Sequence, residues 1–166
     1  MSKGIWTAST QVGFSDIPGQ ITLDVFTVGC SLHCKDCHTP ELQDPKMKGR
    51  ILLKGSKLAQ RVLEGENFYS AVCWMGGEPT EQEEALAAVV GEAREASKLP
   101  HMLFTGHLFD QIPDSLLQLF SIIKAGPWQG IPVYHPDSNQ KLYVKSACNW
   151  REVGLEELIR YVEEGI

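Results

Sequence analysis

The feature that most limits how this chain can fold is the run Phe68 to Met75, nearly continuous in apolar residues, closed by Gly76-Gly77 and followed at once by a helical pattern. So short an apolar run without polar alternation marks a strand buried on both faces, as in a parallel sheet. The helix behind it sets Leu86, Val89, Val90 and Ala93 on one stripe. Thr80 and Glu83 are spaced as its capping box, and Leu99-Pro100 stops it. Strand, glycine turn and helix make one βα unit.

The same alternation runs through the chain. Ile21, Leu23 and Val25 alternate within Gln20 to Val28, a first strand, after a polar stretch punctuated by Gly and Pro that ends at Pro18-Gly19. Leu58, Ala59, Val62 and Leu63 recur at helical spacing behind Ser56, with Gly65 as the stop. His101 to Thr105, Ser121 to Ala125 and Lys141 to Lys145 read as strands, Asp114 to Leu119 as a short helix, and 154–164 as a final helix. Residues 29–55 show no period and read as a long functional loop. The expected fold is a single α/β domain over 1–166, its core about 11–145, with a mostly parallel sheet, flanking helices and right-handed crossovers. No repeat, second domain or low-complexity tract interrupts it.

At 166 residues and 43% apolar, the chain can bury one sizeable core. A net charge of −6 offers no Lys/Arg excess to displace counterions from phosphates, which argues against a nucleic-acid partner. The first residues lack an apolar signal region, and nothing approaches the roughly 18 apolar residues of a membrane span, so the expected location is cytoplasmic. Cysteines number five, an odd count that suits ligation better than a disulfide framework.

Three of them, Cys30, Cys34 and Cys37, stand in C-x3-C-x2-C spacing just past the first strand's carboxyl end, where open α/β sheets place ligands. A cubane 4Fe-4S cluster holds one iron more than three cysteines can ligate, which leaves an open and reactive position. A structural Cys3His zinc site recruiting His33 or His38 uses the same residues. The run Cys34 to His38 also matches the C-x-x-C-H haem attachment pattern, which requires export that the chain has no signal to reach. His33 reads as loop surface. Cys73, inside a buried strand, reads as a small core hydrophobe, Trp74 as a packing anchor, and Cys148 has no partner spacing.

Gly76-Gly77-Glu78-Pro79-Thr80 ends the second strand, where residues without side chains let backbone approach a ligand, or simply make a strand-to-helix turn. Thr105 and Gly106 end the next strand on the same sheet edge. Lys124 lies inside an apolar strand, where an ammonium needs a counter-charge or must snorkel out from the edge.

The cysteine triad and the GGEP-like turn together resemble the radical S-adenosylmethionine superfamily. Within it the chain is similar to the activases of anaerobic (class III) ribonucleotide reductase, through Val28-Gly29-Cys30, Cys37-His38-Thr39-Pro40-Glu41, Phe104-Thr105-Gly106-His107, Ile123 to Trp128 and Ser138 to Tyr143. The resemblance implies a partial, open βα barrel in which Cys30, Cys34 and Cys37 hold a 4Fe-4S cluster. It also implies that Gly76, Gly77 and Glu78 receive the methionyl amino group of S-adenosylmethionine. Thr105 and Gly106 would meet its ribose or methionyl part, and Lys124 its carboxylate. The implied activity installs a glycyl radical on the reductase large subunit, with a flavodoxin-like or other low-potential protein as electron donor. An activase of another glycyl-radical enzyme, or a radical enzyme acting on a small molecule, shares these motifs. The chain departs from the family at Thr39, at Asp16-Ile17-Pro18-Gly19-Gln20, where the family has Asp-Gly-Pro-Gly-Arg, and at Lys141.

Overall fold

The computed structural model of the chain describes residues 3–164. Eight strands form one sheet in the order β3-β1-β2-β4-β5-β6-β7-β8. They are β1 (Gly4–Gly13), β2 (Thr22–Thr27), β3 (Ile51–Lys54), β4 (Ala71–Gly76), β5 (His101–Thr105), β6 (Ile122–Ala125), β7 (Lys141–Ser146) and β8 (Asn149–Val153). The helices are α1 (Gly55–Glu64), α2 (Glu83–Ala96), α3 (Asp114–Leu117) and α4 (Leu155–Glu164).

The single α/β domain stands as expected, and its sheet is mixed. The four central strands β2, β4, β5 and β6 run parallel. Antiparallel pairs extend the sheet on both sides, β1 and β3 beyond β2, and β7 and β8 beyond β6. Three strands lie where the sequence predicts none. β1 occupies the stretch read as a polar lead-in, β3 sits inside the long loop, and β8 follows β7. β3 and β8 bury little, Leu53 being the one buried residue of β3 and Val153 that of β8, while β1 buries Ile5, Thr7 and Gly13 among mostly polar neighbours. Strands at a sheet margin are held by backbone hydrogen bonds rather than by an apolar face, so the sequence pattern is faint.

Alternation along the parallel strands sends side chains to opposite faces. Val25, Trp74, Leu103 and Ile123 join Leu58 and Val62 of α1, Leu86, Val89 and Val90 of α2, and Leu116 of α3 in one apolar layer. Ala71, Cys73, Met102 and Ile122 face the other way and pack with Leu142, Val144 and the α4 residues Leu158, Tyr161 and Val162. Cys73 is thus a core residue, and Trp74 is a fully buried anchor whose Nε1 donates to His101 Nδ1 at 3.0 Å. Burial drives the His101 pKa down to about 3, so the ring is neutral and free to accept.

The expected capping box at Thr80 and Glu83 does not form. Residues Pro79–Gln82 make a 3-10 turn with Glu78 as its cap, and α2 begins only at Glu83.

Central strand β2 carries a buried acid, Asp24, opposite Cys73 of β4. Thr22 Oγ1 donates to Asp24 Oδ1 at 2.7 Å. Burial, with a hydrogen bond and charge from Asp16, raises the Asp24 pKa from 3.8 to about 7, against the lowering effect of Thr22. In the unfolded chain this acid ionises near 3.8, so the folded state holds the extra proton between 3.8 and about 7. The Asp24 contribution to stability therefore falls as pH rises through that window and is constant above it. Asp24→Asn removes this fall. Denaturant melts at stepped pH should show the variant gaining on the wild-type chain from about pH 4 to pH 7, with a constant difference beyond.

Candidate cofactor cavity and cysteine loop

The carboxyl ends of β2, β4, β5 and β6 surround a cavity of about 300 Å³ on the sheet face opposite α1, α2 and α3. Phe26, Met75 and Phe104 form its apolar floor, one side chain from each of three adjacent parallel strands. All nine residues singled out in the sequence line this one space: Cys30, Cys34, Cys37, Gly76, Gly77, Glu78, Thr105, Gly106 and Lys124.

The cysteine loop has little regular structure of its own and is tied down from outside. At its start, Gly29 N donates to Leu42 O at 2.7 Å and Cys30 N to Gln43 O at 3.0 Å, both acceptors in the 3-10 turn Pro40–Gln43. Ser31 donates to Glu81 Oε1 through its amide at 2.7 Å and its hydroxyl at 2.5 Å. Two residues other than glycine, His33 and Asp36, take left-handed φ of 47° and 55°, which coils the chain tightly between the thiols. Further on, Trp128 Nε1 donates to Asp36 O at 3.1 Å, and the Trp128 ring meets His38 edge-on with centroids 4.4 Å apart. His33 is exposed and its Nδ1 lies 2.9 Å from Gln43 Oε1, as fits loop surface.

The glycine turn owes its composition first to the fold. A Cβ on Gly77 would lie 2.4 Å from Gly29 O and 3.0 Å from Leu42 O, and one on Gly76 would lie 2.6 Å from Thr27 O. Gly76 also takes φ of 109°. The turn is therefore pressed directly against the root of the cysteine loop, where Gly77 N donates to Thr27 O at 2.9 Å and Glu78 N to Gly29 O at 2.8 Å. Thr39, the departure from the family pattern, donates from Oγ1 to Gly76 O at 3.3 Å. Glu78 is 2% exposed and binds three segments together. Its Oε1 accepts from Thr80 N at 3.2 Å, Thr80 Oγ1 at 2.7 Å and Thr105 Oγ1 at 2.8 Å, and its Oε2 accepts from Gly106 N at 2.8 Å.

Lys124 projects from β6 with its Nζ 5.0 Å from the centre of the Phe104 ring. Burial lowers its pKa to about 8, and the charges of Asp16 and Glu78 pull it back up. The counter-charges that the sequence demanded thus exist within the chain. For Cys30, burial pushes the thiol up, the Leu32 and His33 backbone amides lower it, and Glu78 and Glu81 push it up further.

Asp16, Leu32, Gly126, Trp128 and Gln140 also line the cavity, and sequence reasoning gave none of them a part in it. Their signal was present: Gly126 and Trp128 close one of the family-like segments, and Gln140 lies in another. What the pattern could not give is which residues of each segment face inward.

The donor set suits an iron–sulfur cluster. Cys30, Cys34 and Cys37 are all free thiols, partly buried on one loop. Three thiolates on one loop are soft ligands of the kind a cluster takes, one to each of three irons.

A glycine contrast tests how the turn and loop depend on each other. Gly77→Ala should cost about 1–3 kcal/mol in denaturant melts and lower iron uptake on anaerobic reconstitution. Gly91→Ala, in α2 with no atom within 4 Å of the added carbon, should stabilise by about 0.5–1 kcal/mol and leave iron uptake unchanged.

Comparison with known proteins bears on the kind of domain. A family model described as a 4Fe-4S single cluster domain matches residues 18–141. Over 70 residues the chain is 34% identical to a Haemophilus influenzae protein whose name describes it as a glycyl-radical enzyme activating enzyme. That alignment covers 42% of this chain and 27% of the relative, so the match spans about a quarter of the relative's length. With residues 18–141 containing all three cysteines, the glycine turn and the strands that carry them, the chain belongs to the 4Fe-4S single cluster domain family.

Proposed function

We propose that this chain is a radical S-adenosylmethionine activase that installs a glycyl radical on a partner enzyme, and that the partner is anaerobic ribonucleotide reductase. The observation that carries the reading is that the cysteine loop and the Gly76–Glu78 turn line one cavity and are hydrogen-bonded to each other at their roots. The relative named for activating a glycyl-radical enzyme supports the reaction class. The reductase as target rests on the family-like segments Phe104 to His107, Ile123 to Trp128 and Ser138 to Tyr143.

In this reading Cys30, Cys34 and Cys37 would hold the cluster. When bound there, the cluster supplies the electron, received from a flavodoxin-like or other low-potential donor, that breaks the sulfur to C5′ bond of S-adenosylmethionine. The chain's own part is to position and to insulate. Carbonyl and carboxyl groups of the Gly76–Glu78 turn receive the methionyl ammonium. Lys124 brings a positive charge to the methionyl carboxylate, and its displaced pKa reflects a site where water is scarce. Phe26, Met75 and Phe104 keep the reacting carbon against apolar surface, where a radical meets little solvent. Thr105 and Gly106 serve chiefly by holding Glu78 in place.

The test is anaerobic. Reconstituted chain, S-adenosylmethionine, dithionite and the reductase should yield 5′-deoxyadenosine and a glycyl doublet by electron paramagnetic resonance. Changing any one of Cys30, Cys34 or Cys37 to Ala should abolish both, together with the brown cluster absorbance. A colourless protein that binds zinc, takes up no iron and forms no deoxyadenosine overturns the reading. Deoxyadenosine without a doublet on the reductase overturns only the choice of target.

A further inference from the structure

The cavity has a rim that the proposed reaction leaves without a role. Gln140, immediately before β7, is 5% exposed and lines the cavity, yet its Oε1 is buried with no hydrogen-bond partner. Its Nε2 donates to Gly126 O at 3.1 Å, and its backbone amide donates to Ser138 Oγ at 3.2 Å. The Gly126 carbonyl fixes which way the amide is turned, because a carbonyl can only accept and the nitrogen must face it. The oxygen is therefore held on the other side as an acceptor. Leaving such a group buried and unmet is unfavourable, and few native groups are left so.

Neighbouring Asn139 shows the contrast. Its Nδ2 donates to Pro127 O at 2.8 Å, and its Oδ1 is likewise without a partner, but Asn139 does not line the cavity. Both amides clamp the Gly126-Pro127 backbone, where Gly126 takes φ of 122° and a Cβ would lie 3.2 Å from Gln140 Cα. Only Gln140 couples that clamp to the cavity.

We infer that Gln140 Oε1 is a binding group for the nucleoside half of the cosubstrate and accepts a hydrogen bond from one of its N–H or O–H donors. The inference rests on the proposed function, which puts the methionyl end against the cysteine loop and the turn after β4. With the turn after β4 and Lys124 of β6 given to the methionyl end, the nucleoside falls to the cavity wall beyond Lys124, where Gln140 precedes β7 and holds Gly126. Its donors are the adenine amino group and the two ribose hydroxyls. An acceptor buried in a site selects for a ligand that brings the matching donor, since an analogue without it leaves the oxygen unmet.

The experiment titrates the iron-loaded chain anaerobically, by calorimetry, with S-adenosylhomocysteine, its inosine counterpart and its 2′-deoxy and 3′-deoxy counterparts. Gln140→Met should bind S-adenosylhomocysteine about tenfold more weakly than wild type. That deficit should vanish for the one analogue lacking the partner donor, which identifies the donor as amine or hydroxyl. Asn139→Ala, which loosens the same clamp from outside the cavity, should weaken all four ligands alike. Equal affinity of the wild type and Gln140→Met for S-adenosylhomocysteine, within about twofold, overturns the inference. So does a deficit of the same size for every ligand, which makes Gln140 a clamp alone. The wild-type chain gives an independent check, since an affinity unchanged across all four ligands overturns the inference even if the Met variant does not fold. A wild-type chain that takes up iron and binds none of the four overturns this inference and the proposed cosubstrate together. Normal wild-type binding with no effect at Gln140 leaves the proposed function standing.

Discussion

Glu78 is an acid set where water scarcely reaches, and the site is organised around meeting its oxygens. Burial of a carboxyl group without donors is costly, and each hydrogen bond to an ionised group contributes about 1.5–3 kcal/mol. Here the donors come from Thr80, Thr105 and Gly106, so the group joins the end of β4, the turn into α2 and the end of β5. Its own amide reaches back to Gly29 at the root of the cysteine loop. Take the carboxyl away and four donors, from three residues, lose their acceptor together. The side chain thus fixes the turn against β5, and the backbone of that turn meets the root of the cysteine loop.

That arrangement gives the glycines a packing role beside the one their sequence suggests. Gly76-Gly77 invites the idea of a backbone bared for a ligand, but the atoms that crowd them belong to Thr27, Gly29 and Leu42. Close approach between two chain segments is the demand, and the cavity is what their contact shapes. In the same way Thr105 and Gly106 line the cavity while their polar groups are spent on Glu78.

Much of the centre was legible in the sequence. β5 and α4 lie where periodicity put them, and the parallel strands differ from expectation only at their ends, because deeply buried strands must be apolar and their neighbours must be helical. The cysteine spacing and the glycine turn were readable because ligation and close packing restrict residue type absolutely. β1, β3 and β8 were not legible, since β1 is rich in Thr, Ser and Gln, β3 is only four residues long and β8 is mostly polar, so that the backbone ladder rather than an apolar period holds them. Nor were Asp16, Trp128 and Gln140, whose inward orientation follows from how loops after β1, β6 and before β7 fold over the sheet. Long-range closure of that kind leaves no local period.

The ties on the cysteine loop also bear on the order in which the molecule assembles. Ser31 and Glu81 are 50 positions apart, and Asp36 and Trp128 are 92 apart. Contacts at such separations form late, because the chain between them must first lose its freedom. A nascent polypeptide that has not yet emerged past Trp128 holds three thiols on a segment still missing one of its ties, open to oxidation or to stray metal. The loop acquires its shape only when nearly the whole sheet is in place, so loading with iron and sulfide belongs after folding, as a step performed on a finished scaffold rather than one that builds it.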